Sequence, residues 1–212
     1  MPNKCREYKA MYLDLAENIY DSNIVSEDII IGQLNTFAEK GLPVNSYDKP
    51  YNVPLLTLAA SHNLEKVVDR LLELGADPNL RDNRFNDENS ILLYLMNEPL
   101  FYSGSIFKKM AERMKNINYK YNDERTVLGI CLSRYVYNAT MGHDRLVDIY
   151  YQFAKILLEA GADNSLDTLW EKKFPDNPEA TKAKQKIGSL IVSMTQKEEM
   201  QDRMSDSYEY EL

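Results

Sequence analysis

The residues able to do nucleophilic, acid–base or metal chemistry are few, because the chain contains two histidines and two cysteines. His143 with Asp144 beside it, and Cys131 twelve positions earlier, supply the residue types of a thiol nucleophile, its base and an orienting carboxylate. The pieces fall in and beside a polar stretch, and nothing in their spacing fixes their distances. His62 stands next to Asn63 at the end of a short apolar run, which suits turn capping or exposure. Cys5 and Cys131 have no metal-site spacing and form no disulfide framework, a usage that fits a reducing compartment. The segment at 82–89, DNRFNDEN, has the acidic look of a calcium loop, but Arg84 occupies a ligand position and the turn glycine is missing. There is no glycine-rich phosphate loop, HExxH, GxSxG or zinc spacing. We therefore expect no catalytic, cofactor-binding or metal-binding residues, and a chain that is not an enzyme.

Periodicity is the stronger signal. Residues 54–79, PLLTLAASHNLEKVVDRLLELGADPN, read as two short amphipathic helices closed by a glycine, and the second half returns as FAKILLEAGADNS. The closing position can be followed through Gly41, Gly75, Met114 and Gly161, in steps of 34, 39 and 47 residues. Each is followed by a polar exit ending at Asn45, Asn79, Asn118 or Ser165. Glycine ends a helix in the left-handed conformation, and Asp or Asn beyond it starts a turn. Methionine enters that conformation only with strain, so the third unit must end its helix differently or run it on. The first helices match in LLTLAA, ILLYLM and VLGICL, nearly continuous apolar runs that belong inside a helical stack. A stack of this kind presents its outward surface, which points to a binding protein.

Residues 54–82 resemble an ankyrin repeat, with PLLTLAA in place of that family's TPLHLAA box and LLELGADPN matching its LLxxGADxN ending. The fourth unit keeps KILLEAGAD, while the first and third keep chiefly the spacing, so the resemblance covers about residues 25–166. Pro54, Thr57 and Asn63 depart from the family's threonine, histidine and glycine. The resemblance implies an all-α solenoid of about four ankyrin-like repeats that recognises a folded partner through inter-repeat fingers and inner helices.

The third unit carries an insertion at 97–105 and the fourth one at 133–145, both expected as loops on one face. Helices at 8–20 and 26–40 are expected to pair as an N-terminal cap. After Ser165, Leu169, Trp170 and Phe174 are expected to cover the last repeat. Asn177 and Pro178 then start a helix with Ala183, Ile187, Leu190, Ile191 and Met194 on one face. The boundaries read from sequence are 1–166 for the repeats, 167–204 for capping helices and 205–212 for a disordered tail.

Against 25 basic residues stand 33 acidic ones, and the net charge of −8 repels nucleic acid and anionic membrane surfaces. The favoured partner is another protein with a basic surface, the chain itself being monomeric. No export signal or membrane-length apolar run is seen at the sequence level, so the expected location is cytoplasmic, or a host cell if the chain is an effector. The sequon at Asn138 is read as chance. The fifteen tyrosines match either an AT-rich coding composition or a contact surface. Expected contacts are Tyr47, Tyr51, Arg81, Arg84, Phe85, Tyr119, Tyr121 and Arg125 in the fingers, with Tyr94 on an inner helix. Phe101, Tyr102, Tyr135 and Tyr137 are expected from the insertions. The function expected is protein binding, as a microbial interaction factor or effector; the alternative is an acidic inhibitor or immunity protein covering the active site of a toxin.

Overall fold

A computed structural model of the chain describes residues 2–45, 53–80, 90–97, 99–100, 103–121 and 124–209. Its side chains are described from Arg6 on and, in the last helix, up to Lys197 and at Met200. Among these residues every regular element is helical, and the chain divides into two compact units, Met1–Lys115 and Asn116–Leu212.

The first unit holds α1 (Pro2–Tyr20), α2 (Glu27–Glu39), α3 (Leu55–Ser61), α4 (Glu65–Glu73), α5 (Ile91–Asn97) and α6 (Gly104–Ala111). Consecutive helices pair, while α1 packs on α3, α3 on α5, and α2 on α4, giving two layers. In α3 every residue from Leu55 to Ala60 is buried, as its unbroken apolar run requires. The amphipathic α4 buries Val67, Val68 and Leu71. Truncating Leu71 to alanine would cost about 2–5 kcal/mol. Pro54 precedes α3 and makes no side-chain cap, so the entry to this helix is held from outside, where the Tyr12 hydroxyl donates to the Val53 carbonyl. The start of α4 is also capped from outside. Leu64 stands at its N-cap, and the Glu27 carboxylate of α2 accepts from the Lys66 and Val67 amides at 2.9 and 3.2 Å. A carboxylate at a helix N-terminus satisfies unpaired N–H groups and meets the positive end of the helix dipole.

The second unit holds α7 (Val127–Met141), α8 (Asp144–Glu159) and α9 (Pro178–Glu209), with 3-10 turns at Asn164–Leu166 and Leu169–Lys172. All three helices pack on one another. Asn177 caps α9 by accepting from the Ala180 amide at 3.0 Å. Ala180, Ala183 and Ile187 are buried, while Leu190, Ile191 and Met194 are half-buried. The last helix extends to Glu209, into the segment expected as a disordered tail.

The turn chemistry agrees with the glycine register. Gly75 has φ +85°, its amide donates to the Leu72 carbonyl at 3.0 Å, and the next amide, Ala76, reaches Leu71 at 2.9 Å. This pair of bonds closes a helix that ends in a left-handed residue. The same pair recurs after Gly41, Gly142 and Gly161, and at Asn63, a non-glycine residue with φ +57°. Asn63 stays there because its side chain is used, its Oδ1 accepting from the Ser103 amide at 2.9 Å. Met114 is not left-handed; α6 stops at Ala111, with Glu112 still right-handed at φ −64°.

Two expectations need correction. The stretch 133–145 is not a loop, since α7 runs straight through to Met141 and stops only at left-handed Gly142. Ser133, Tyr135, Val136 and Asn138 are buried, so the insertion lengthens an inner helix. Of the three residues expected to cover the last repeat, Trp170 is buried, whereas Leu169 and Phe174 are 49% and 37% exposed.

Candidate partner-binding site

The polar exits do more than start local turns. Asn45 donates from Nδ2 to the Gly75 carbonyl at 2.9 Å and accepts from the Asp77 amide at 2.7 Å. One repeat on, Asn79 donates to the Arg113 carbonyl at 3.3 Å and accepts from Lys115 N at 2.8 Å. In the second unit Asn118 does the same with Gly161 at 3.1 Å and Asp163 at 2.7 Å. A planar amide, with donor and acceptor on one edge, fits a carbonyl and an N–H two residues apart. These asparagines therefore join repeats to one another. They are engaged internally and are poor candidates for contact with a partner.

The carboxylates next to them are fixed as well. Burial acts to raise the Asp77 carboxyl, but hydrogen bonds from Asn79 and the Lys115 ammonium outweigh it and hold Asp77 below its ordinary value. Asp163 is held down by its hydrogen bonds from Ser165. On the outer layer, the Ser105 hydroxyl and then Lys109 lower Glu65. Lys109 also meets Asp69 at 2.7 Å, which ties α6 to α4.

Three of the expected finger contacts, Tyr119, Tyr121 and Arg125, are described. The Tyr121 amide donates to the Arg125 carbonyl at 2.9 Å, and the Glu124 amide donates to the Tyr121 carbonyl at 2.8 Å, with Glu124 left-handed at φ +61°. This tight turn roots the finger. Tyr121 is buried and meets the half-buried Tyr119 ring edge-on, with centroids 5.3 Å apart. Arg125 is half-buried in the same turn, and Tyr94 is half-buried on α5. Tyr47, Tyr51, Arg81, Arg84, Phe85, Phe101 and Tyr102 lie outside the described residues.

The tyrosines of α7 part company. Tyr135, expected on a loop, is 1% exposed inside the second unit. Its hydroxyl is pushed up to about 12, by burial first and then by Tyr151 and Asp148. Tyr137 is 46% exposed and rests 6.2 Å from the ring of Phe174, a residue with left-handed backbone at φ +50°. Met141, one helical turn beyond Tyr137, is 49% exposed. The sequence reading missed Phe174 as a surface residue; a large side chain between Lys173 and Pro175, ahead of a helix start, is its only local signal.

The imagined catalytic set is not assembled. Cys131 is fully buried, its Sγ donates to the Tyr150 carbonyl at 3.4 Å, and burial drives its thiol far above the ordinary range. His143 lies beyond the far end of the same helix, about 15 Å or more along the axis. There it bonds Asn138 Oδ1 through Nδ1 at 3.0 Å. His62 caps α3 through Nδ1 on the Leu58 carbonyl at 3.0 Å. Asn138 is buried and donates to the Arg134 carbonyl, which accounts for it without glycosylation. Among the described residues no group of His, Cys, Asp and Glu is placed to hold a metal, and no helix is long and apolar enough to cross a membrane.

Comparison with curated proteins gives no match. Residues 52–83 match the family model of the ankyrin repeat, a protein-interaction module, and they span α3, α4 and the asparagine exit at Asn79. The chain thus carries an ankyrin repeat at residues 52–83, set among helices whose turns close in the same left-handed way.

Proposed function

We propose that the protein binds a partner protein through its inter-repeat fingers and inner helices. The proposed contacts are Tyr47, Tyr51, Arg81, Arg84, Phe85, Tyr119 and Arg125 from the fingers, Tyr94 from an inner helix, and Phe101, Tyr102 and Tyr137 from the inserted stretches. The observation that carries this reading is the rooted finger at 119–125. Buried Tyr121 and the turn to Arg125 hold Tyr119 and Arg125 in place before any partner arrives, which removes part of the ordering cost of binding. Tyr121 and Tyr135 then serve as supports, their side chains being buried.

In this reading the chain is a monomeric cytoplasmic interaction factor, or an effector acting in a host cell. The repeats extend over 1–166 and 167–204 covers their end. A second reading is favoured by the net charge of −8: an inhibitor or immunity protein whose acidic surface covers the basic active cleft of a toxin. Affinity capture from lysate of the source organism, comparing wild type with a Tyr51→Ala, Phe85→Ala, Tyr119→Ala triple variant of verified fold, tests the surface. Loss of one partner in the variant supports the finger reading, and full retention overturns it. A captured toxin whose activity is blocked by the wild-type chain supports the second reading.

A further inference from the structure

The geometry points to a second docking surface, the outward face running from Tyr20 through α2 to Thr36, which takes a basic amphipathic helix of a partner protein. It rests on the chain being a protein-binding module and is independent of the finger contacts.

Three observations converge there. The first is apolar exposure: Tyr20, Ile24 and Ile29 are 52%, 87% and 57% exposed within ten residues of sequence. Single exposed apolar residues are ordinary, but Ile24 is held outward by a hydrogen-bonded turn, its amide donating to the Asp21 carbonyl at 2.7 Å. The second is Gly32. It lies inside α2, exposed, without positive φ, and a Cβ built on it meets nothing within 4 Å. Internal packing does not require this glycine, although glycine is among the least favourable residues for a helix interior. Ile29, Gly32 and Thr36 form one stripe by helical spacing, and Thr36 turns its hydroxyl back onto the Gly32 carbonyl at 3.1 Å. A stripe with a glycine at its middle lets another helix approach closely.

The third observation is charge. From Met11 to Glu39 the chain has Asp14, Glu17, Asp21, Glu27, Asp28 and Glu39 and no lysine, arginine or histidine, which is −6 of the net −8. The packed neighbours bring few cations. Lys66 of α4 lies 3.7 Å from Asp28, Arg70 is engaged with Asn35 and Glu73, and Lys40 with Glu7. Glu27 is spent on capping α4 and Asp14 accepts from Gln33, but Asp28 and Glu39 flank the stripe by helical spacing within this acidic stretch, which complements a helix whose apolar stripe is bordered by Lys and Arg.

The probe is a synthetic amphipathic Leu/Lys helix, with a scrambled peptide of the same composition and a version with Glu for Lys, titrated into the full chain labelled for backbone-amide NMR. We expect the Leu/Lys helix to bind, with shifts confined to about residues 20–36, and the scrambled peptide to bind at least about tenfold more weakly. Ile24→Asp with Ile29→Asp should weaken binding about tenfold or more. Gly32→Ala should raise the thermal midpoint while weakening binding, a pair of effects that damage to the fold cannot produce. Equal binding of the scrambled peptide, wild-type affinity in the double variant, or no binding overturns the proposal. Shifts at 119–125 in place of 20–36 would also overturn it while leaving the finger reading intact.

Discussion

The pair α3 and α4, which matches the ankyrin model, and the pair α7 and α8, read from sequence as a fourth repeat, solve the same problem with helices of different length. Their inner helices have 7 and 15 residues. Both nevertheless end in a left-handed residue, Asn63 or Gly142, with the same pair of closing bonds. Both second helices end at a left-handed glycine whose carbonyl accepts from the asparagine of the preceding repeat. Repeat identity is thus kept in the turns, where a few backbone groups must be satisfied, and helix length between them is free. The inner helices also start differently. In the second repeat Pro54 offers no cap; in the fourth, Thr126 Oγ accepts from Gly129 N at 3.1 Å and buried Asp167 Oδ2 accepts from Thr126 N at 3.2 Å.

The largest effect should come from breaking that fourth-repeat start. A Cβ at Gly129 would lie 1.9 Å from Asp167 Oδ2, so Gly129→Ala must displace a buried carboxylate. We expect a loss of at least about 3 kcal/mol in urea unfolding, or failure to fold, whereas Thr57→Ala in the second repeat should cost about 1 kcal/mol or less. A stable Gly129→Ala protein would show that Asp167 is not a fixed cap.

Cutting the asparagine links tests whether the two repeats share one device. Asn45→Ala and Asn118→Ala each remove two hydrogen bonds and should each cost about 1–2 kcal/mol by chemical denaturation. Ser165→Asn, at the exit of the fourth repeat, should be neutral. Unequal costs for the two asparagines would mean that one repeat relies on its helices more than on its turn.

The smallest effect is acid sensitivity. Glu65 and Asp77 support the second repeat and Asp163 the fourth, all with lowered pKa in the folded chain. A carboxyl lowered by folding contributes stability that is complete above its unfolded value, near 4.5 for Glu65 and 3.8 for the aspartates, and is lost as pH falls through the folded value. Stability should therefore decline below about pH 4.5. Glu65→Gln should flatten that decline at its upper end, while Asp163→Asn acts only at lower pH. Thermal melts across pH 3–6 would separate them.

Much of this was legible in the chain. The glycine spacing announced the left-handed closures, the apolar runs announced buried inner helices, and Met114 announced a helix that ends without a left-handed turn. The inserted stretch at 133–145 was misread because its glycine and polar residues resemble those of a loop, whereas burial of Tyr135 and Val136 extends the helix. Tyr119, Arg125 and Tyr137 were singled out as contacts by residue type, and Tyr137 stands on α7 and not on the expected loop. Phe174 was expected to cover the last repeat; it is 37% exposed beside the Tyr137 ring, where the chain turns after Trp170.

Sequence by itself determined the repeat, its turns and its charge, because these depend on local backbone preferences and on counting. Tertiary structure alone decided that the exit asparagines join neighbouring repeats, that Glu27 caps a helix 39 residues away, and that Gly129 makes room for Asp167. Those roles arise where distant segments meet and unsatisfied N–H groups or missing volume must be supplied from outside the local segment. No pattern of neighbouring residues records such a need.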